Sequence, residues 1–298
     1  NATGLLMLSS YKGYRLLLVH AHPDDETINN GSTMAMYAAL GAKVTLVTCT
    51  RGEEGEVLVP ELAHYAAHET DQLGEHRVIE LANAMKALGI EDHRFLGDES
   101  IKYRDSGMMG APQNENPKCF WKCDVEEAAK KLASIIDEVK PQVMVTYDEF
   151  GGYGHPDHIK AHQVAMRGAE LAADAKFGTG NPWEIKKIYW NTMPKSVVEA
   201  GMAKMKEIGS DFFGSDNIDD IPFVKPDEVV TTLIDGQKYI DQKMAALKAH
   251  KTQISVDGPF FALSNNLGNQ IWGFEYYTLV KGEKNKEVNE KGLEVDLF

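Results

Sequence analysis

Two short segments of the sequence concentrate residue types that bind metal ions. Residues 20–26 read His-Ala-His-Pro-Asp-Asp-Glu and follow the apolar run 16–19. Residues 151–158 read Gly-Gly-Tyr-Gly-His-Pro-Asp-His and come shortly after the apolar run 143–145. Each segment lies where a buried strand would end and a helix would begin, and ligands bind at that edge of an open α/β sheet. The two segments therefore predict a mononuclear metal site at one edge of a sheet.

The residue types within these segments indicate how such a site would be built. His22, Asp25 and His158 form a set of two imidazoles and one carboxylate, which leaves open positions for water and substrate, as catalytic zinc requires. Because Pro156 is a favourable first helical residue, His155 should lie on the loop and His158 in the opening turn. The same set suits Fe²⁺, and spacing alone does not choose between the metals. Helix capping and turn formation would explain either segment alone, but explain the pair less well.

The rest of the chain alternates between strand-like and helix-like stretches. Strands are expected at residues 15–20, 43–48, 93–96, 142–147, 187–191 and 275–280. Helices are expected at residues 31–40, 66–88, 125–139, 156–173, 196–208 and 231–250. Four consecutive βα units imply a parallel sheet with right-handed crossovers. We therefore predict an α/β fold with a Rossmann-like catalytic core over residues 12–195. A C-terminal extension over residues 196–298 should cover the active-site edge, and its charged tail, 281–294, is expected to be mobile.

Composition and charge disfavour several classes of function. The 298 residues are 43% hydrophobic and 26% charged, which is ordinary for a globular protein with a large core. A net charge of −14 argues against nucleic acid or an anionic membrane as partner. No apolar run is long enough to span a bilayer, and residues 1–10 do not resemble a signal peptide. Three cysteines suggest the reducing cytoplasm, and Cys119 and Cys123 read as ordinary thiols rather than a zinc knuckle. The sequence does not indicate an oligomeric state.

A nucleotide- or sugar-binding protein built on a Rossmann-like sheet is a different class of function. The loop after the first strand argues against it. Phosphate binding would need a glycine-rich loop there. The chain instead places Asp24, Asp25 and Glu26 at that position, and their charge would repel phosphate. A phosphate-binding module is therefore disfavoured.

Both segments resemble the signature of the LmbE/PIG-L family of metal-dependent N-deacetylases, which pairs AHPDDE with a later HPDH. The two motifs are intact here, at residues 21–26 and 155–158. Similar stretches extend over nearly the whole chain, at residues 48–57, 71–77, 103–108, 145–158 and 262–269. The resemblance implies that a metal-activated water removes the N-acetyl group of N-acetylglucosaminyl-inositol, a small-molecule substrate of mycothiol biosynthesis. The alternatives are a mycothiol S-conjugate amidase and a deacetylase of another N-acetylglucosaminide.

The resemblance also assigns roles to individual residues of the two segments. His22, Asp25 and His158 would bind one Zn²⁺ ion, with Fe²⁺ as the other possibility. Asp24 would act as general base on the attacking water. Tyr153, in the glycine-rich loop, would help to hold the oxyanion.

The remaining roles concern the leaving group and the substrate hydroxyls. His155 would protonate the leaving amine or stabilise charge, and Asp157 would orient it. Arg77 has an alternative as an ion-pair partner of the acidic loop at residues 52–56. His250 carries no context comparable to that of the two motifs, so the sequence gives it no role. Five residues would contact sugar and inositol hydroxyls: Glu56, Arg77, Asp105, Asn265 and Asn266.

Overall fold

A seven-stranded β-sheet organises the part of the chain that the computed structural model describes, which comprises residues 10–178, 181–207, 209, 217–258 and 270–298. The strands are β1 (Arg15–His20), β2 (Lys43–Thr48), β3 (Asp92–Phe95), β4 (Val143–Thr146), β5 (Lys187–Thr192), β6 (Thr232–Asp235) and β7 (Phe274–Lys281). The helices are α1 (Asp25–Ala39), α2 (Leu73–Leu88), α3 (Val125–Val139), α4 (Pro156–Ala173), α5 (Lys195–Glu207), α6 (Ile240–Ala249) and the short α7 (Gln270–Gly273). None of the described helices is both long and apolar enough to cross a membrane.

The strand order places the ends of β1 and β4 side by side. In space the order is β3-β2-β1-β4-β5-β7-β6, and the first five of these strands are parallel, as predicted. The chain runs outward from β1 in one direction and returns to β4 on its other side, so β1 and β4 flank the topological switch point. Leu18 pairs with Val145 across this boundary. The loops that follow the two strands therefore open at the same edge of the sheet.

Helices cover both faces of the parallel strands, which explains the continuous apolar run in β1. Leu17 and Val19 pack into a core with α3 and α4, whereas Leu16 and Leu18 pack into a second core with α1, α2 and α6. All four side chains are fully buried. Parallel strands covered on both faces read as unbroken apolar runs rather than as an alternation, as observed here. The predicted α/β fold is confirmed.

The C-terminal part of the chain extends the same sheet. β7 pairs antiparallel with β5, and β6 pairs antiparallel with β7. The prediction of one helix over residues 231–250 was wrong in its first part, because Thr232–Asp235 forms β6 and α6 begins only at Ile240. Thr232 and Ile234 are buried while Asp235 is exposed, a period-two pattern in β-branched residues that favours a strand. The two predicted units thus contribute to one continuous sheet.

The tail after β7 is docked rather than loose, which corrects the expectation of a mobile segment at residues 281–294. Glu294 is fully buried. It accepts hydrogen bonds from Lys187 Nζ at 2.8 Å, Tyr189 Oη at 2.8 Å and Thr232 Oγ1 at 2.7 Å. A buried carboxylate is tolerated when it is paired and hydrogen-bonded in this way. The charged composition of the tail did not reveal that Glu294 forms this buried ion pair with Lys187.

Candidate metal centre

The sheet edge brings together the three residues that the sequence predicts as metal ligands. His22 lies in the turn between β1 and α1, Asp25 is the first residue of α1, and His158 lies in the first turn of α4. One side-chain ligand atom from each lies within 4.8 Å of the other two. Asp25 Oδ2 is 3.5 Å from His22 Nδ1 and 3.2 Å from His158 Nε2. Ligands of a tetrahedral zinc ion lie about 3.3–3.6 Å from one another, so these separations match such a site.

His158 presents a lone pair that no proton satisfies. Its Nδ1 lies 3.0 Å from the carbonyl oxygen of Gly151, which can only accept, so Nδ1 carries the ring proton. Nε2 is buried and has no hydrogen-bond partner among the described residues, although Asp25 Oδ2 is near. A Cβ at Gly151 would lie 2.5 Å from His158 Cβ, so only glycine permits this approach. A histidine whose one ring nitrogen is held by a hydrogen bond, while the other nitrogen has no hydrogen-bond partner, fits a metal ligand.

His22 is fixed in a similar way by carboxylates on its far side. Its Nε2 lies 2.8 Å from Asp157 Oδ2, so Nε2 carries the proton and Nδ1 faces Asp25. Burial lowers the pKa of His22, but Asp105, Asp157 and Asp25 together raise it well above the usual value. The carboxylates thus stabilise a positive charge at this position. The donor set and its charge both fit a divalent cation.

A buried polar chain orients Asp25 from below. Tyr147 Oη donates to Asp25 Oδ2 at 2.7 Å and accepts from the Ala21 amide at 2.9 Å. His20 Nδ1 lies 3.0 Å from the same hydroxyl, and its Nε2 lies 2.7 Å from Asn30 Oδ1. All five residues are buried. Tyr147 was not predicted as a site residue, although it follows β4 directly and lies within the stretch 145–158.

Asp24 lies beside the ligand set in a strained backbone conformation. Its φ is 121° and its ψ is −32°. A non-glycine residue in such a region costs about 1–3 kcal/mol and persists only where its surroundings enforce it, most often at functional sites. Burial and the neighbouring Asp25 raise the pKa of Asp24 to about 8. Asp24 lines an adjoining cavity of about 320 Å³.

His155 is held as a neutral imidazole. Its Nδ1 accepts a hydrogen bond from the Asp157 amide at 3.1 Å, so Nε2 carries the proton. Burial, His22 and His158 lower the pKa of His155 to about 3. Asp157 is expected to orient His155, and its backbone amide, rather than its carboxylate, makes that contact. That carboxylate bonds to His22 and to the Ser106 amide, and only the Asp157 backbone contacts His155.

The cavity beside Asp24 is walled by both halves of the chain and is mainly apolar on its C-terminal side. Tyr153 stands at its rim, 41% exposed, with its ring edge-on to His158 at 5.2 Å. Asn29, Asn191 and Lys225 supply polar groups to the lining. Its apolar wall is formed by Ile28, Met193, Val197, Val198, Phe223 and Trp272. The cavity is larger than an acetyl group needs.

Arg77 lies beneath the two loops of the site. The residue is 3% exposed. Nη1 donates to the Gly52 carbonyl at 2.9 Å, Nη2 donates to the Pro23 carbonyl, and Nη2 lies 3.6 Å from Asp24 Oδ2. These contacts tie the β1–α1 turn to the acidic loop. A substrate contact of Arg77 remains a prediction.

The other predicted substrate residues occupy different surroundings. Asp105 is buried, accepts from the Gly107 amide at 2.9 Å and lies 3.5 Å from His22 Nε2. With His22, His155 and Asp157, it forms a second group whose atoms lie within 4.8 Å of one another. Glu56 is exposed. Two predicted contacts lie outside the described residues: Asn265 and Asn266.

Sequence comparison relates the chain to known deacetylases. A family model described as PIG-L, GlcNAc-PI de-N-acetylase, matches residues 17–169, which contain both motifs. A relative from Geodermatophilus obscurus named 1D-myo-inositol 2-acetamido-2-deoxy-alpha-D-glucopyranoside deacetylase is 56% identical over 288 residues, covering 95% of this chain and 97% of its own. A relative from Catenulispora acidiphila, with the same name and the numeral 1, is 57% identical over 288 residues, covering 95% and 88%.

Solved structures share the fold at low sequence identity. N,N'-diacetylchitobiose deacetylase from Pyrococcus horikoshii matches with a TM-score of 0.60 at 18% identity, covering 90% of this chain and 84% of its own. A 4-carboxy-2-hydroxymuconate hydratase from Pseudomonas putida matches with a TM-score of 0.55 at 18% identity, covering 93% and 100%. Because the fold supports two different reactions, function has to be argued from the site.

Proposed function

The chain belongs to the PIG-L family of GlcNAc-PI de-N-acetylases, and we propose that it is a metal-dependent hydrolase that removes the N-acetyl group from N-acetylglucosaminyl-inositol. This reaction is a step of mycothiol biosynthesis. The observation that carries the proposal is the convergence of His22, Asp25 and His158 on one point beside Asp24. Relatives with more than half of their residues identical, named for the same inositol-linked substrate, support the choice of amide.

The proposed ligands are His22 Nδ1, Asp25 Oδ2 and His158 Nε2. Two imidazoles and a carboxylate suit Zn²⁺, and Fe²⁺ is the alternative. When bound, the ion would polarise the amide carbonyl and lower the pKa of water towards about 7. Asp157 and the Gly151 carbonyl hold the two imidazoles in the tautomers that this binding needs.

Asp24 is proposed to move the proton. In its ionised form it takes a proton from the attacking water, and it then delivers that proton to the departing nitrogen. A general base works best when its pKa is near the operating pH, and the raised pKa of Asp24 meets this condition. One carboxylate can therefore serve as base and then as acid.

His155 and Tyr153 are proposed to stabilise the developing negative charge. Of the two roles expected for His155, its lowered pKa favours charge stabilisation over proton donation. The neutral ring carries its proton on Nε2 and can donate a hydrogen bond to the amide oxygen as charge develops there. Tyr153, at the rim of the cavity, has a hydroxyl that can donate to the same oxygen.

The large apolar wall of the cavity favours one second candidate, a mycothiol S-conjugate amidase. The acyl group of such a conjugate is far larger than acetyl. Phe223, Trp272 and Met193 offer it an apolar surface. The ratio of kcat/KM on GlcNAc-inositol to kcat/KM on a mycothiol S-conjugate separates the two candidates.

The preference between GlcNAc-inositol and GlcNAc tests whether the site recognises the hydroxyls of the inositol ring. GlcNAc-inositol should be hydrolysed with a much higher kcat/KM than GlcNAc, because a site that hydrogen-bonds hydroxyls discriminates against analogues that lack them. Glu56→Gln should lower kcat/KM for GlcNAc-inositol about tenfold, the value of one charged hydrogen bond. Released acetate or free amine measures both.

Glu61→Gln is the matched control for this test, since Glu61 is also exposed and lies five positions further along the chain. It should leave kcat/KM unchanged. Equal efficiency on GlcNAc would favour a broader N-acetylglucosaminide deacetylase. Faster cleavage of a mycothiol S-conjugate would favour the amidase.

We place this reaction in the cytoplasm. All three cysteines are unpaired, as in a reducing compartment. The partner is the small sugar substrate, and the acidic net charge gives no support for nucleic acid.

A further inference from the structure

The strained backbone of Asp24 needs contacts that hold it. The Asp24 amide donates to Glu26 Oε1 at 3.0 Å. Glu26 Oε2 accepts from the Thr27 amide at 2.8 Å and also from the Thr27 hydroxyl. The Glu26 carboxylate thus accepts hydrogen bonds from backbone amides on both sides of Asp25. Glu26 is fully buried.

The C-terminal half of the chain supplies the partner of this buried carboxylate. His250 Nε2 lies 3.1 Å from Glu26 Oε2, and His250 is also fully buried. The other ring nitrogen, Nδ1, is buried without a hydrogen-bond partner among the described residues. The ring therefore directs its hydrogen bonding at Glu26, with Thr27 Oγ1 at 3.5 Å as a weaker neighbour.

A tight turn after α6 fixes His250 in this position. The amides of Gln253 and Ile254 donate to the His250 carbonyl at 3.0 Å and 2.9 Å. Thr252 donates from its amide and its hydroxyl to the buried carboxylate of Glu80, at 2.9 Å and 2.6 Å. Because Glu80 belongs to α2, the turn is anchored to the helix layer beneath the site.

We infer that Glu26 and His250 form a positioning pair that holds Asp24 in its strained conformation, so that the C-terminal half contributes a functional residue to the site. The inference rests on the proposed function, in which Asp24 moves the proton. Neither residue touches the reacting atoms. His250 supports Glu26, Glu26 holds the Asp24 amide, and the fixed backbone directs the Asp24 carboxyl group into the cavity.

The variants His250→Leu, His250→Gln and Glu26→Gln test this pair. His250→Leu removes the N–H donor, and we expect kcat to fall about tenfold to a hundredfold, the effect of a small misplacement of a reacting group. KM and metal content should not change. His250→Gln can restore an N–H donor to Glu26 and should recover most of kcat.

Lys187→Met is the matched control, because it breaks a buried Lys–Glu pair. Lys187 is the first residue of β5, so this pair lies at the end of the parallel strands away from the site. Both His250→Leu and Lys187→Met should lower the melting temperature. Only His250→Leu should lower kcat. Equal loss of kcat in the two variants would reduce the effect of His250 to general stability and overturn the inference.

A double-mutant cycle with Asp24 shows whether His250 acts through it. In an Asp24→Asn background, His250→Leu should cause little further loss of kcat, since residues that act as one unit are not additive. The same factor lost in both backgrounds would overturn the inference.

Backbone geometry gives a readout that does not depend on activity. A crystal structure of His250→Leu should show the Asp24 φ leaving its positive value, whereas Lys187→Met should retain it. An unchanged Asp24 backbone in His250→Leu would contradict the positioning pair. Wild-type protein that is inactive on every N-acetylglucosaminide would instead contradict the proposed function.

Discussion

Asp25→Ala is expected to lose both the bound metal ion and the deacetylase activity. Asp25 Oδ2 is the atom that faces both His22 Nδ1 and His158 Nε2, so its removal leaves two imidazoles with no anionic ligand. Metal coordination supplies several kcal/mol of transition-state stabilisation, so kcat/KM should fall by about 10³-fold or more. Metal analysis of the purified variant and acetate release measure the two losses.

Asp92→Asn provides the control for this experiment. Asp92 accepts hydrogen bonds from Arg94 and Thr45. It is the first residue of β3 and so lies at the end of the parallel strands away from the site. Asp92→Asn should retain the metal ion and kcat/KM. An Asp25→Ala protein that keeps one tightly bound equivalent would remove Asp25 from the ligand set. His158→Ala should behave as Asp25→Ala does.

Asp24→Asn is expected to keep its metal ion and lose most of its rate. Asparagine has the same shape and tolerates positive φ better than most residues, so the turn should survive. Loss of a general base lowers kcat by about 10²–10⁴-fold. The measurement is kcat at saturating GlcNAc-inositol, with metal content determined on the same sample.

The ratio of metal to protein decides the role of Asp24. A full equivalent in Asp24→Asn, together with low kcat and unchanged KM, fits a proton-transfer role. Metal loss equal to that in Asp25→Ala would make Asp24 a ligand. A wild-type kcat would remove it from the mechanism altogether.

The parallel part of the fold could be predicted because its patterns are local. β1, β2, α3 and α4 have the predicted limits, since unbroken apolar runs and amphipathic periodicity are properties of neighbouring residues. α1 begins at Asp25, six residues before the predicted start at residue 31. Asn29, Asn30 and Gly31 are weak helix formers, and tertiary contacts overrode that propensity.

The two site loops could be located from sequence because each motif is contiguous. The supporting contacts could not, because they join distant parts of the chain. Tyr147 is 122 residues from Asp25, and His250 is 224 residues from Glu26. Spacing gives no information on such pairs, so no role was predicted for His250 from the sequence. Burial, a directed hydrogen bond and an ionic partner now indicate a specific position for it.

Removal and return of the metal ion shows whether the hydrolysis depends on that ion. Protein treated with a chelator and shown by analysis to be metal-free should release no acetate from GlcNAc-inositol. Titration with Zn²⁺ or Fe²⁺ should restore the rate and saturate at one ion per chain, while Asp25→Ala should not respond. Acetate release at the full rate by the verified metal-free protein would rule out metal-dependent hydrolysis.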